Sequence, residues 1–324
     1  MPRPASLPRR TLLAAPMLLP AAASAQAFPT RTIRLVSASA PGGVTDTVGR
    51  LLAERLAPAL GVPVIVENRP GAAGILATDM VARAQPDGHT LFVAADSHIV
   101  VNPFVYTAAP SNGLTDLEPV APLAAAPYVL AVHPSVQAWD LPGFVALARR
   151  AADPLPYGSG GVGGLQHLGM EMLMRHAGFP LLHVPFRSGT AAAHALLAGD
   201  VLAMMGGGSL APLLREGRLR PLATTGGARM ATFPEVPTIA ETHPGFSLQF
   251  WLGVFAPHGL PRETMTRLRA EIAGALEEPA MRQALLRVAE LVPLDPSPAG
   301  FARLIAEDAE RFRAIVEELG IRPG

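Results

Sequence analysis

The chain has 324 residues, with 26 basic and 26 acidic side chains and no net charge at neutral pH. A surface balanced in this way lacks the concentrated basic face that nucleic-acid binding needs, so no nucleic-acid partner is predicted. The chain has no cysteine, which excludes disulfides, thiolate metal sites and a cysteine nucleophile. Its hydrophobic content of 49% is typical of a globular, well-buried protein.

The first 27 residues have the pattern of an export signal. Arg9 and Arg10 form a short basic start, the apolar run 11–23 is too short to span a bilayer, and small residues follow up to Ala27. We therefore predict a periplasmic protein whose signal peptide, residues 1–27, is cleaved after Ala27. The Arg-Arg-x-Leu-Leu order leaves both the general secretory route and the twin-arginine route open.

After the signal, short apolar runs alternate with helical patterns, which is typical of α/β units with largely parallel strands. The first units are predicted as strands over 32–37, 62–66 and 90–94, and as helices beginning after Gly43 and over 75–84. Pro58 is predicted to end the first helix early. The Pro- and Ala-rich stretch 103–127 is predicted to be a surface segment that leads towards a lobe boundary.

A second set of units follows. It is predicted as strands over 128–133, 181–186, 201–205 and 219–225, and as helices after Asp140, over 165–173 and over 190–198. The last third is helical, with one helix opening at Pro261 and a long one from Pro298 to Gly320. These units predict a first lobe over 28–126 and 227–324, and a second lobe over 127–226. Two crossovers between them, the second near Gly226, would form a hinge.

Two glycine-rich turns, at 40–46 and 157–164, share one design: a strand, the turn, then the start of a helix. Glycine lets backbone N–H groups approach a ligand closely. A helix start adds unpaired N–H groups and about half a positive charge, so it binds a carboxylate without Lys or Arg. Two such turns facing each other across a cleft would hold an organic acid from both sides. Each turn is also compatible with an ordinary strand-to-helix connection.

The second turn also fits the dinucleotide fingerprint, as Gly158-x-Gly160-x-x-Gly163 between a strand and a helix. Arg187 ends the next predicted strand, where an arginine that selects NADP could stand. An exported NADP-linked oxidoreductase is therefore an alternative prediction.

The patterns that would indicate a metal site or a catalytic nucleophile are weaker than those of the two turns. His167 and Glu171 are four residues apart on a predicted helix, but the HExxH arrangement is missing, so no metal site is predicted. No serine lies in a G-x-S-x-G elbow, and no catalytic residue is predicted. Ser97 follows the end of a predicted strand, which is where ligands bind in open α/β sheets.

Several spaced motifs carry a resemblance to a known family. They include FPTRTIRLV at 28–36, APGG at 40–43, VENRPG at 66–71, PDG at 86–88, VPFR at 184–187 and PEVPT at 234–238. Together they resemble the Bug-type substrate-binding proteins, the extracytoplasmic receptors of tripartite tricarboxylate transporters. The resemblance implies the α/β, two-lobed Venus-flytrap fold of type 2 periplasmic binding proteins. It also implies a small organic carboxylate as ligand and membrane transporter subunits as partners.

The resemblance transfers ligand-binding roles by position. The ligand-binding residues predicted in this way are Ala40, Gly42, Gly43, Thr45 and Asp46 on the first turn, and Ser159, Gly160, Gly163 and His167 on the second. Two residues at predicted strand ends, Ser97 and Arg187, complete the predicted ligand-binding set. The predicted function is capture of the ligand by a monomer, without catalysis, cofactor or metal. A ligand-sensing receptor for a signalling system is a further alternative.

The chain departs from the family pattern at three places. Gly161, Gly163 and Gly164 stand where Ser and Asn are usual, which leaves mainly backbone donors in the second turn. The run 206–208 is also richer in glycine than the family pattern, and Arg187 takes a place where Lys is common. An unusual or larger ligand is compatible with these changes.

Overall fold

The computed structural model describes residues 28–208 and 210–321, so the predicted signal peptide lies outside the described residues. The strands are β1 Ile33–Ser37, β2 Val64–Asn68, β3 Thr90–Ala95, β4 Leu117–Pro127, β5 Val129–Val132, β6 Leu155–Ser159, β7 Leu181–Pro185, β8 Ala203–Gly206, β9 Arg220–Thr224, β10 Gln249–Pro257 and β11 Val292–Pro293. The helices are α1 Val44–Leu60, α2 Ile75–Ala82, α3 Asn102–Val105, α4 Leu141–Arg150, α5 Leu165–Ala177, α6 Gly189–Ala198, α7 Ala211–Arg215, α8 Arg262–Glu277, α9 Pro279–Ala289 and α10 Pro298–Leu319. A π-helical turn, Ser97–Val101, follows β3.

The strands form two sheets. The six-stranded sheet has the order β11-β4-β10-β3-β1-β2, and the five-stranded sheet has the order β7-β6-β8-β5-β9. Between the named strands, the parallel pairings are those of β1 with β2 and β3, and of β6 with β7 and β8. The other pairings between the named strands are antiparallel, so the prediction of largely parallel strands is wrong for β4, β5, β9, β10 and β11. Four of these strands, β4, β5, β9 and β10, adjoin the crossings between the sheets.

The chain crosses between the sheets twice, as a two-crossover hinge requires. β4 continues through Tyr128 directly into β5, and the return runs from β9, which ends at Thr224, to β10. Thr225 joins the two crossings. Its hydroxyl accepts a hydrogen bond from the Tyr128 N–H at 2.8 Å and donates one to the Leu248 carbonyl at 2.5 Å. Its backbone N–H donates to the Tyr128 carbonyl, and its carbonyl accepts from the Leu248 N–H, both at 2.9 Å.

The segment between β9 and β10 packs on the five-stranded sheet. Met230, Phe233 and Val236 are buried in the same apolar cluster as Met204 of β8. The lobe boundaries at residues 127 and 226 stay a prediction, and this packing places residues beyond 226 against the second lobe.

The prediction of a surface segment over 103–127 is wrong for its second half, because Leu117–Pro127 is the buried strand β4. Proline has no N–H for a strand ladder and is tolerated in sheets mainly at edges and bulges. Pro119 and Pro122 lie beside the two register shifts in the pairing of β4 with β10. On the other side of β4, β11 pairs only with Ala124 and Ala125. The prolines therefore sit where the ladder is already interrupted.

Pro58 does not end α1, contrary to the prediction. The helix continues to Leu60 and closes at Gly61, whose N–H donates to the Ala57 carbonyl at 3.0 Å with a φ of 70°. A proline in the last turn removes one hydrogen bond, while Leu56 and Leu60 keep the buried face of the helix in the core.

Capping side chains precede two of the predicted helices. The Asp140 carboxylate accepts from the Gly143 N–H at 2.7 Å before α4. The Ser297 hydroxyl accepts from the Gly300 N–H at 2.9 Å before α10. Within the described ranges, no helix is both long and apolar enough to cross a membrane.

Candidate functional site

A cleft lies between the two sheets and consists of three adjoining cavities. We call the first the polar cavity; it has about 270 Å³ and is lined by Asp96, Ser97, Tyr128, Gly160, Gly164, Leu165, Gln166, Gly189 and Phe250. We call the second the apolar cavity; it has about 360 Å³ and is lined by Val44, Ala126, Pro127, Tyr128, Gln166, Gly189, Thr190, Gly207, Gly208, Phe250, Val288 and Ala289. The side cavity, of about 480 Å³, runs from Ser97 and Gly160–Gly164 past His98 to Tyr106.

The start of α5 opens into this cleft. Gly164 stands at the cap position in an extended conformation, and no side chain caps the helix. The first helical hydrogen bond runs from the Leu168 N–H to the Gly164 carbonyl at 2.9 Å. The N–H groups of Leu165 and Gln166, two residues that line the polar cavity, have no acceptor among the described residues and are therefore available to an anion.

The start of α1 reaches the same cleft from the other lobe. Gly43 occupies its cap position, again without a capping side chain, and the Thr47 N–H bonds to the Gly43 carbonyl at 2.9 Å. Val44, the first residue of α1, lines the apolar cavity together with Gln166. Ala40 and Gly42 are exposed at the tip of the turn and do not line the three cavities.

Two of the predicted ligand-binding side chains shape the first turn from inside. The buried Asp46 carboxylate accepts hydrogen bonds from the Gly42 N–H and from Asn68, both at 2.8 Å, and pairs with Arg50 at 2.9 Å. Burial raises the pKa of Asp46, but the bonds from Arg50, Gly42 and Asn68 outweigh burial and lower this pKa overall. The Thr45 hydroxyl lies 2.7 Å from the Ser37 hydroxyl and 2.6 Å from the Ser39 hydroxyl.

The second turn is held by its own side chains. The Gly160 N–H donates to the Gln166 side-chain oxygen at 2.7 Å, and the Gly163 N–H donates to His167 Nδ1 at 3.1 Å. The Ser159 hydroxyl is fully buried, 2.7 Å from His183 Nε2, and does not line the cleft. Two of the three fingerprint glycines thus have their N–H groups bound within the chain.

The imidazoles of His167 and His183 stack beneath this turn, with ring centroids 4.0 Å apart. Burial, and secondarily His183, lowers the pKa of His167 to about 4, and burial also lowers the pKa of His183. Both rings are therefore neutral at neutral pH. Glu171, whose carboxylate is 3.8 Å from His167 Nε2, accepts a hydrogen bond from the Tyr157 hydroxyl at 2.9 Å. In the described part of the chain, no group of three or more candidate ligands could hold a metal ion.

The described lining of the three cavities contains no arginine. Burial raises the pKa of Asp96 well above its usual range, which favours the uncharged carboxyl, and burial lowers the pKa of His98 to about 4. Asp96 also accepts hydrogen bonds from the Ser97 N–H at 2.6 Å and the Trp251 N–H at 3.1 Å. Arg187 is exposed and lies outside the three linings. The cleft therefore offers an anion neutral N–H and hydroxyl donors.

Sequence reasoning missed four residues that line both the polar and the apolar cavity: Tyr128, Gln166, Gly189 and Phe250. Gln166 could have been found, because it is the second residue of a predicted uncapped helix. Tyr128 could not, because its place in the cleft depends on the crossing from β4 to β5. Ser97, Gly160 and the helix starts are the predicted features that the structure brings together.

The family model described as "Tripartite tricarboxylate transporter family receptor" matches residues 48–321. The chain belongs to this receptor family. The receptor is 33% identical over 323 residues to a UPF0065 protein of Bordetella pertussis, covering 99% of each chain. It is 30% identical over 302 residues to protein BugT of the same organism, covering 92% of each.

Solved structures agree with this assignment. MatC from Rhodopseudomonas palustris with bound malate is 33% identical, with a TM-score of 0.74, over 89% of the receptor and 100% of MatC. An R. palustris protein with adipate is 29% identical, with a TM-score of 0.78, over 90% and 98%. The periplasmic binding protein BugD is 26% identical, with a TM-score of 0.75, over 91% and 100%. The resemblance to the Bug-type family and the two-lobed fold are confirmed.

Proposed function

We propose that this receptor binds a small organic carboxylate between its two lobes in the periplasm and delivers it to the membrane subunits of a tripartite transporter. One observation carries the proposal: the uncapped starts of α1 and α5 line the same cleft, and no arginine is among the described residues that line it. Helix starts attract carboxylates through free N–H groups and the helix dipole. The malate and adipate bound in two solved relatives belong to the same ligand class.

The proposed mechanism is closure without chemistry. A ligand that contacts α1 on one lobe and α5 on the other stabilises the closed arrangement more than the open one, so binding shifts the lobes towards closure. The absence of catalysis is part of the proposal, and it is supported by relatives that are solute-binding proteins. The Ser159 hydroxyl, which lies next to His183, also donates to the Gly161 carbonyl at 3.1 Å, so this serine–histidine pair serves to hold the second turn rather than to act on a ligand.

Calorimetric titration tests carboxylate binding. Malate, adipate, citrate and a set of monocarboxylates are titrated into the protein, and each acid that binds is compared with its methyl ester. We expect at least one acid to bind and its ester to lose most of that affinity, because the ester has no charge for the helix starts. A folded sample that binds none of the acids, or binds the esters equally well, would refute the proposal.

Export is tested separately. We expect the mature protein from the periplasmic fraction to begin at residue 28, as measured by intact mass. A mature protein that retains residues 1–27, or that stays in the cytoplasm, would contradict cleavage after Ala27.

A further inference from the structure

The cleft is amphipathic along its length. The residues that line the polar but not the apolar cavity include Asp96, Ser97 and the glycines before the start of α5. The residues that line the apolar but not the polar cavity are Val44, Ala126, Pro127, Gly207, Gly208, Val288 and Ala289, with Thr190 as the one polar side chain among them. One end therefore presents hydroxyl and N–H donors, whereas the side chains of the other end are mainly apolar and the start of α1 at Val44 is its helix start.

Glycines create the space at the apolar end. A Cβ on Gly207 would lie 3.5 Å from the Tyr128 ring, at ordinary contact distance, so the fold has room for a side chain there and glycine leaves that room empty. A Cβ on Gly208 would lie 3.1 Å from Cα of Ala289, which is tight, so this position lets β8 approach the end of α9. Gly207 is thus the residue whose missing side chain enlarges the cavity.

We propose that the ligand is an amphipathic monocarboxylate, with its carboxylate at the start of α5 and its alkyl or aryl tail in the apolar cavity. This inference rests on the proposed function and narrows its ligand class. A second carboxylate at the far end would meet the start of α1 but no cationic side chain of the described lining, and Val288, Ala289 and Pro127 would remove it from water. A helix start contributes about 0.3–1 kcal/mol, which is less than the cost of desolvating a carboxylate that has no further partners. A desolvated, unpaired carboxylate is costly, whereas each methylene removed from water contributes favourably.

A chain-length series tests the inference. Butyrate, hexanoate and octanoate are titrated calorimetrically beside adipate, phenylacetate, malate and citrate. We expect affinity to rise by about fourfold per methylene until the cavity is full, and hexanoate to bind more tightly than adipate. Tighter binding of adipate, or equal affinity along the series, overturns this inference and leaves carboxylate capture standing. Failure of every acid, malate and citrate included, overturns the proposed function as well.

Variants locate the tail. Gly207→Leu should lower hexanoate affinity by about tenfold or more while butyrate keeps nearly the wild-type affinity, because only the longer tail competes with the new side chain. Gly274→Leu is the matched control, since Gly274 is on α8 with no atom within 4 Å of its Cβ position. If Gly207→Leu unfolds, Gly207→Ala makes the same comparison with a smaller loss. Equal losses for both acids in a folded variant would refute the assignment.

Discussion

Replacing Gln166 by glutamate adds a negative charge to the cleft and keeps the size of the side chain. Gln166 is the second residue of α5, lines both main cavities, and accepts the Gly160 N–H at 2.7 Å. Glutamate has the same length and keeps an oxygen for that N–H. A carboxylate in the first turn of a helix also stabilises the helix by about 0.3–1 kcal/mol. We therefore expect the variant to unfold at an equal or higher temperature.

The effect on binding should have the opposite sign. For a ligand carboxylate at the start of α5, we assume a separation of roughly 6 Å from the new charge, which is the spacing of side chains one turn apart on a helix. With an effective dielectric constant of about 40, the repulsion at that distance is about 1.4 kcal/mol, and with about 20 it is about 2.8 kcal/mol. These energies correspond to about tenfold and about hundredfold weaker binding.

Calorimetry gives the affinity and thermal unfolding gives the stability. Gln166→Met is the matched control: it removes the acceptor for Gly160 without adding charge, so its loss of affinity measures the effect of a loosened turn alone. A glutamate variant that is stable and binds carboxylates as well as the wild type would show that the anion does not lie at the start of α5.

Three further predictions follow from the side chains around the cleft. Asp46→Ala should destabilise the fold by about 1–3 kcal/mol in urea unfolding and weaken ligand binding, and a variant as stable as the wild type at pH 7 would contradict this. Because folding lowers the pKa of Asp46, its contribution to stability is present above pH 3.8 and is lost as the pH falls further. The pKa of His167 is about 4 in the folded protein, against an ordinary 6.5, so between these two pH values His167 is protonated in the unfolded chain but not in the folded one. The free energy of unfolding should therefore fall from pH 6.5 to 4, by at most about 1.4 kcal/mol per pH unit for this group. His167→Asn should make the free energy of unfolding less dependent on pH in this range, and an unchanged pH dependence would show that His167 is not its source. Tyr128→Phe should weaken binding about threefold to tenfold at unchanged unfolding temperature, and equal affinity would remove its hydroxyl from the site.

The sequence predicts the local units well because their signals are local. Capping by Asp140 and Ser297 and the αL glycine after α10 all mark helix ends within a few residues, and the structure has them there. The glycine-rich turns likewise predict the two uncapped helix starts. The strand β4 was missed because its prolines weaken a strand pattern, and only the register shifts opposite β10 show why the sheet accepts them.

The orientation of side chains in the candidate site could not be predicted in the same way. Asp46 and Ser159 lie on the turns that the pattern selects, yet both side chains bond inside their own lobe. Whether a polar residue on a turn faces a ligand or the turn itself depends on neighbours distant in sequence, here Asn68 and His183. Tyr128 and Phe250 enter the cleft only because the chain crosses between the sheets beside them.

The hydrogen bonds of Thr225 have a mechanical consequence for the receptor. Because Thr225 is bonded both to Tyr128 on the outgoing connection and to Leu248 on the returning one, the two connections are joined by hydrogen bonds and do not run independently. In the proposed closure, this pairing should keep the two connections together as a single hinge, so that the same faces of the two lobes meet each time the receptor closes.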